Sequence, residues 1–147
     1  MPDLGPLLGR DGELLRSPSR RCEAPRARVE ERLRPWDLGA WTGRPFDDLD
    51  LATWRTDPSY DAHGGESLLV LTERVAGLLD DLQDVGGGRR VVVAVTHAAV
   101  IKAAVLLVLR APSTAVWELD VHPASVTELS RTGDGWRVAR VNAPYGS

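Results

Sequence analysis

Residues 91–109 read VVVAVTHAAVIKAAVLLVL, and this stretch decides the fold. Val91 to Val95 form a continuous apolar run, which is typical of a strand buried on both faces in a parallel sheet. After Thr96-His97-Ala98 the composition changes to alanine and leucine, which predicts a helix over Ala99 to Leu109 that ends before Pro112. A strand, a tight turn and a helix together indicate an α/β protein.

The same nineteen residues are nearly long enough to cross a bilayer. However, His97 and Lys102 lie inside the stretch, and such side chains are costly in hydrocarbon. A valine run followed by an alanine and leucine run fits a strand and a helix better. We therefore expect no membrane span.

The composition sets further limits. The chain has 147 residues with a formal net charge of −3, so no charge excess favours nucleic acid or a membrane surface. The single cysteine, Cys22, excludes an intrachain disulfide and a multi-cysteine zinc site, and suits a small packing residue better than a nucleophile. Residues 1–12 lack an apolar core behind a basic start, so we expect no secretory signal and a cytoplasmic protein.

Several further elements are predicted from turn residues and periodicity. Residues 1–13 are rich in glycine and proline and predict a loose N-terminal arm. Apolar residues recur at helical spacing from Ser67 to about Gln83, where Gly86-Gly87-Gly88 ends the helix. The remaining predictions are short helices over Arg26 to Leu33 and near Phe46 to Thr56, strands over Val116 to Val121, Ser125 to Ser130 and Trp136 to Val141, and a hairpin turn at Thr132-Gly133-Asp134-Gly135.

His97 is the most informative polar residue, because it lies at the carboxyl end of the predicted buried strand. Ligands bind at that edge of open α/β sheets, and the N–H groups of the following helix favour an anion. A histidine there suits a hydrogen-bond donor to a phosphoryl oxygen, an acid, a base or a nucleophile. The alternative is a histidine that caps the helix and packs, and the sequence leaves both open.

Three other segments hold candidate residues. Ser17-Pro18-Ser19-Arg20-Arg21 is a basic loop that suits either a phosphate clamp or a solvated surface. In His63-Gly64-Gly65-Glu66-Ser67, Ser67 is a good helix cap and His63 a candidate for a pocket wall. Residues 35–43 carry Trp36 and Trp41 as aromatic anchors and Asp37 as the carboxylate best placed to face a pocket. The three histidines are too scattered to indicate a metal site.

Taken in order, these segments resemble the histidine phosphatase superfamily, the phosphoglycerate-mutase-like proteins. Ser17 to Arg21 is similar to the family's Ser-Pro-x-x-Arg, Leu33 to Gly43 to its Trp-containing loop, and Gly64 to Ser67 to its G-G-E-S. Val92 to His97 is similar to the strand that carries the second histidine. The similarity covers about residues 14–142 and includes the closing hairpin.

The resemblance implies a three-layer α/β/α fold and phosphoryl transfer through a phosphohistidine. It makes Arg21 the second arginine of the phosphate clamp and His97 the second histidine. Asp37 is the candidate acid, which would complete the catalytic set, and the candidate substrate-binding residues are Trp36, Trp41, His63 and Glu66. No cofactor and no metal are expected.

The chain also departs from the family pattern. The family opens with a strand that ends in Arg-His-Gly, and this sequence contains no Arg-His pair. Pro35 occupies the position of the usual acid, Ala98 follows the second histidine in place of glycine, and Pro25 replaces a threonine. We therefore expect a single truncated domain over residues 1–147 that lacks the first strand and its helix.

Three functions follow from these departures, and the sequence leaves them open. The chain is a non-catalytic binding or partner protein, a repurposed enzyme that uses His97 in acid/base chemistry, or an active phosphatase with His63 or His97 as replacement nucleophile. The expected ligand is a small molecule or phosphate-like anion, with no nucleic acid and no membrane. In the family, the first strand lies beside the strand that here ends at His97. Three alternatives for that position are residues 1–16, a reorganised sheet and a second chain, and we expect a homodimer.

Overall fold

The computed structural model describes residues 3–9, 12–45, 51–83, 90–133 and 135–145. Within these residues, a three-stranded parallel sheet and a separate two-stranded antiparallel hairpin are combined with helices. The mixed α/β class predicted from residues 91–109 is confirmed.

The parallel sheet consists of β1 (Glu13–Arg16), β2 (Arg28–Val29) and β3 (Val92–Val95), in the order β2-β1-β3. Both neighbours of β1 run parallel to it, as predicted for β3. The prediction that β3 is buried on both faces is wrong, because its residues are half-buried and Ala94 is exposed. In the described chain only β1 pairs with β3, so one edge of β3 has no strand against it.

The described chain also contains short 3₁₀ helices and four α-helices: α1 (Gly5–Leu8), α2 (Leu51–Thr56), α3 (Leu68–Gln83) and α4 (Ala98–Leu109). The predicted bounds of α3 and α4 are each correct within one residue. Ser67 caps α3, since its Oγ accepts the Val70 N–H at 3.1 Å. The α4 helix ends where Arg110 adopts a left-handed backbone with φ 57°, two residues before Pro112.

The main core lies where α3 and α4 pack together against β1. Burying these apolar side chains stabilises the fold by removing their surface from water. The buried side chains of this core are those of Leu15, Leu33, Leu68, Leu71, Val75, Leu78, Val100, Ala103, Leu106 and Val116. None of the helices in the described part of the chain is both long and apolar enough to cross a membrane.

The N-terminal arm contains one helical turn, α1, which lies beside β3. The Tyr145 hydroxyl donates a hydrogen bond to the Asp3 carbonyl, so the arm also reaches the C-terminal strand. Residue 13 belongs to β1 and not to the arm. Of the helix predicted near Phe46 to Thr56, α2 supplies the second half, and residues 46–50 lie outside the described residues.

The helix predicted over Arg26 to Leu33 is wrong except for one 3₁₀ turn over Glu31–Leu33. Arg26 has a left-handed backbone with φ 62°, which an α-helix excludes. The chain then pairs with β1 through β2, and the Glu30 N–H donates to the Arg16 carbonyl at 2.9 Å. Tertiary pairing with β1 therefore overrides the helical propensity of this segment.

The strand predicted over Val116 to Val121 is also wrong, because residues Ser113–Glu118 form a 3₁₀ helix. Its turn directs Val116 into the core and Trp117 into a cluster of aromatic rings. Both side chains are therefore partly or fully buried without a strand partner.

The closing hairpin is confirmed. It consists of β4 (Ser125–Thr132) and β5 (Gly135–Pro144), with Thr132 opposite Gly135. Asp134 of the predicted turn and the predicted Gly86-Gly87-Gly88 stop lie outside the described residues.

Candidate functional site

His97 lies between the end of β3 and the start of α4, where it is the N-cap residue of that helix. Its backbone is extended, and its carbonyl accepts the Ile101 N–H at 3.1 Å as the first bond of the helix. The first N–H groups of α4 are therefore next to the His97 side chain. Such groups carry partial positive charge and favour an anion.

The parallel pairing of β1 and β3 places Ser17 next to His97, although the two residues are eighty positions apart in the sequence. Arg16 pairs with Val95, and the Ser17 N–H donates to the Val95 carbonyl at 2.9 Å. Ser17 Oγ lies 2.8 Å from His97 Nε2. Both residues leave the sheet at its carboxyl edge, which is the edge predicted for the site.

Cys22 also lies next to His97, with its Sγ 3.7 Å from Nε2. It ends a 3₁₀ helix over Arg20–Cys22 and is buried. Burial raises the pKa of the Cys22 thiol, and the neighbouring Ser17 side chain and the charges of Arg21 and Arg16 only partly oppose that effect. Cys22 is therefore a protonated thiol at neutral pH.

Burial lowers the pKa of the His97 imidazole, and the positive charges of Arg21 and Arg74 lower it further. The imidazole is therefore neutral at neutral pH, with cations around it. In the described chain, no carboxylate contacts His97. A neutral ring, a helix N-terminus and nearby guanidinium groups together suit a bound anion.

A cavity of about 450 Å³ is lined by Arg16, Glu23, Ala24 and Pro25. Arg16 Nη1 donates to the Ser17 carbonyl at 3.1 Å, so the cavity adjoins the loop that holds Ser17. Among the described residues, no group of His, Cys, Asp or Glu side chains is arranged to hold a metal ion.

Glu66 forms a buried ion pair with Arg74. Arg74 Nε lies 2.7 Å from Glu66 Oε2, and the two side chains are 8% and 5% exposed. Arg74 also donates to the carbonyls of Arg32 at 2.6 Å and Arg34 at 2.9 Å. The Glu66 carboxylate is therefore committed to holding the Trp-containing loop, 35–43, against α3.

Aromatic rings pin the same loop. Trp54 in α2 contacts Trp36, Trp41 and Trp117, with ring centroids 5.0, 5.3 and 4.4 Å away. His63 is buried against Trp41, with their ring centroids 5.2 Å apart. The two tryptophans therefore anchor the loop, as the sequence predicted.

Gly39 allows the loop to approach the segment that carries His63. Its φ of 53° is left-handed, and a Cβ at this position would lie 2.4 Å from the His63 carbonyl oxygen. The neighbouring Ala40 N–H donates to that carbonyl at 2.8 Å. Asp37 is exposed, and its Oδ1 accepts the Gly39 N–H at 2.9 Å, which shapes the turn.

The candidate residues thus fall into two groups. Arg21 precedes Cys22, which contacts His97 at the sheet edge, whereas Trp36, Trp41, His63, Glu66 and Asp37 form the loop assembly. In the described chain no hydrogen bond or ring contact joins the second group to His97. Arg74 connects them, since it pairs with Glu66 and its charge acts on His97.

Sequence reasoning missed Arg74 and the contact between Cys22 and His97. Arg74 lies on a helix among other polar residues, where a solvated side chain is the usual interpretation. Cys22 and His97 are 75 residues apart, so only the strand order of the sheet reveals that they meet.

Known structures share this fold. A mycobacterial glucosyl-3-phosphoglycerate phosphatase, solved with inorganic phosphate, is 28% identical with a TM-score of 0.73, over 90% of this chain and 77% of that one. A protein described as mycobacterial hydrolase 2 is 30% identical with a TM-score of 0.66, over 80% of this chain and 60% of that one. The chain therefore spans less than two thirds of the length of that hydrolase.

A phosphoserine phosphatase variant from Entamoeba histolytica, in complex with phosphoserine, is 20% identical and matches at a TM-score of 0.74, over 88% of this chain and 73% of that one. This likeness concerns the fold alone. No curated protein sequence matches the chain. The family model of the histidine phosphatase superfamily (branch 1) matches residues 16–144, which is most of the chain. The chain belongs to the histidine phosphatase superfamily.

Proposed function

We propose that this chain binds a phosphate-like anion, or a small molecule that carries one, at His97 without forming a phosphohistidine by the family's usual route. The observation that carries the proposal is the surroundings of His97. A neutral imidazole lies at the N-terminus of α4, with the positive charge of Arg21 nearby and no carboxylate in contact within the described chain. These groups stabilise the negative charge of a bound anion, and no carboxylate of the described chain contacts His97 to repel it.

The relatives support an anion as ligand. The mycobacterial phosphatase at 28% identity was solved with inorganic phosphate. Arginine binds phosphate through a planar fork of N–H groups, and Arg21 is exposed beside the site and free to turn toward a ligand.

Two features of the sequence support the absence of the usual phosphohistidine. This chain contains no Arg-His pair, which the family uses to supply the nucleophile and the first arginine. Pro35 stands where the family has its acid, and proline has no proton to transfer. The exposed Asp37 remains the proposed substitute for that acid.

A second candidate function is acid/base chemistry on a small molecule by His97. The observation that favours it is the lowered pKa of His97, because a neutral imidazole at neutral pH is able to accept a proton. An active phosphatase with a replacement nucleophile is less well supported. His63 is buried among aromatic rings, and its Nδ1 already accepts the Gly65 N–H at 2.9 Å.

Phosphate is expected to raise the melting temperature of the chain, and replacing Arg21 by alanine should weaken that effect. At ten times its dissociation constant, a ligand adds about 1.4 kcal/mol to the free energy of unfolding, or roughly 3–5 °C for a domain of this size. Loss of one charge-assisted hydrogen bond weakens binding about tenfold to hundredfold. Thermal melts in phosphate and in chloride at equal ionic strength measure the difference.

Arg20→Ala is the matched control, because Arg20 is an exposed neighbour in the same 3₁₀ helix, whereas the charges that lower the pKa of His97 are those of Arg21 and Arg74. We expect the Arg20 variant to keep the full phosphate effect. Equal loss in both variants would indicate a general charge effect and contradict a pocket at Arg21.

The open edge of β3 supports a homodimer. The Val91 and Val95 carbonyls accept bonds from the β1 side, so the backbone groups of Val92 and Ala94 point to the other edge. In the described chain no strand pairs there, and β4 and β5 form their own sheet. The helical turn α1 lies beside β3 but pairs with it through no strand, so this edge is a template for a strand from a second copy.

Light scattering at micromolar concentration is expected to give the mass of a dimer. Ala94→Pro removes one N–H from the open edge and should shift the mass toward a monomer. A monomeric mass for the unaltered chain would contradict the homodimer.

A further inference from the structure

Ser17 holds one nitrogen of the His97 ring. Ser17 is 0% exposed at the end of β1, so its hydroxyl has no access to solvent. Its oxygen accepts the Ser19 N–H at 3.2 Å and lies 2.8 Å from His97 Nε2. The described chain gives this hydroxyl three neighbours, namely the Ser19 N–H, His97 Nε2 and the thiol of Cys22.

The direction of the bond between Ser17 and His97 follows from the hydroxyl proton. A serine hydroxyl has one hydrogen to donate, and a buried donor left without an acceptor costs roughly 1–3 kcal/mol. The Ser19 N–H is itself a donor, and the Cys22 thiol is protonated and only a weak acceptor. His97 Nε2 is therefore the acceptor for the Ser17 hydroxyl.

We propose that Ser17 is a positioning residue that fixes His97 as the Nδ1–H tautomer, so that Nδ1–H donates a hydrogen bond to the bound anion. The proposal rests on the proposed function, because it names how His97 meets the ligand. A neutral imidazole carries one N–H, so a ring that accepts at Nε2 carries its hydrogen on Nδ1. The hydrogen bond at Nε2 therefore determines that Nδ1 carries the hydrogen.

Two further observations agree with this tautomer. Cys22 Sγ lies 3.7 Å from the same Nε2, and its thiol donates to the Thr96 carbonyl oxygen at 4.0 Å, so Cys22 does not compete with Ser17 for the lone pair of Nε2. No residue of the described chain hydrogen-bonds to His97 Nδ1, and the ring is half-buried at the start of α4. Nδ1–H is thus available to a ligand at the helix N-terminus, and His97 serves there as a donor and not as a base.

His63 provides a control within the same molecule. Its Nδ1 accepts the Gly65 N–H at 2.9 Å, so its hydrogen must lie on Nε2. The structure therefore assigns opposite tautomers to His63 and His97. In a spectrum that shows both rings, the signals of His63 therefore serve as an internal reference for those of His97.

The test is a ¹⁵N NMR spectrum of the histidine rings of the full chain at neutral pH, with His97 identified by its absence in His97→Gln. We expect the Nδ1–H pattern for His97 and the Nε2–H pattern for His63. An Nε2–H pattern for His97 overturns the proposal, and this test needs no variant at Ser17. On adding inorganic phosphate we expect the Nδ1 signal of His97 to move more than its Nε2 signal.

Ser17→Ala tests the role of the hydroxyl. We expect a fraction of His97 to change to the Nε2–H tautomer and phosphate binding to weaken about fivefold to tenfold. Ser19→Ala keeps the backbone N–H that bonds to Ser17 and should change neither. An unchanged tautomer in a folded Ser17→Ala protein overturns the proposal. If the wild-type tautomer is Nδ1–H but phosphate moves no signal, the tautomer assignment stands and the proposed function is overturned.

Discussion

Replacing Arg74 by alanine is expected to lower the free energy of unfolding by about 3–5 kcal/mol, because it leaves a buried carboxylate without its partner. Glu66 is the one carboxylate residue that is buried in the described part of the chain, and Arg74 is its closest cation at 2.7 Å. The same guanidinium also satisfies carbonyls of Arg32 and Arg34. The ion pair and the two carbonyl hydrogen bonds are therefore lost together.

Arg34→Ala is the matched control. Arg34 Nη2 lies 3.5 Å from the same carboxylate, but its side chain is 42% exposed. Exposed ion pairs contribute about 0–1 kcal/mol, so this variant should be nearly as stable as the unaltered chain. Urea denaturation of both variants measures the difference. Similar losses for Arg34→Ala and Arg74→Ala would contradict the buried pair as the anchor of the loop.

Local sequence pattern predicts those elements whose stability is mainly local. The valine run of β3, the helical spacing of α3 and the alanine and leucine run of α4 each indicate one structure without reference to the rest of the chain. The segments predicted wrongly, Arg26 to Leu33 and Val116 to Val121, take their structure from β1, the core and the aromatic cluster. Their own propensities are too weak to decide against such contacts.

The same distinction applies to the site. The position of His97 follows from the strand and helix that flank it, so the sequence predicted it correctly. Its neighbours Ser17 and Cys22 depend on which strand lies beside β3, and a single sequence does not contain strand order. The pairing of Glu66 with Arg74 is likewise a consequence of how the loop folds over α3.

The second large effect concerns phosphoester hydrolysis. Enzymes typically accelerate their reactions by about 10⁶-fold or more, so the presence or absence of the phosphohistidine route is a difference of many orders of magnitude. In this chain His97 is a neutral ring whose Nε2 is held by Ser17, and no Arg-His pair supplies a nucleophile. We therefore expect binding of phosphate esters without robust turnover.

The most direct measurement is the hydrolysis of p-nitrophenyl phosphate by the purified chain, compared with His97→Ala under the same conditions. We expect the two rates to agree within about tenfold and both to lie far below those of enzymes. A thermal melt of the same protein is the control. A melting temperature that still rises in inorganic phosphate shows that the site is intact. Robust turnover by the unaltered chain that is lost in His97→Ala would contradict the account.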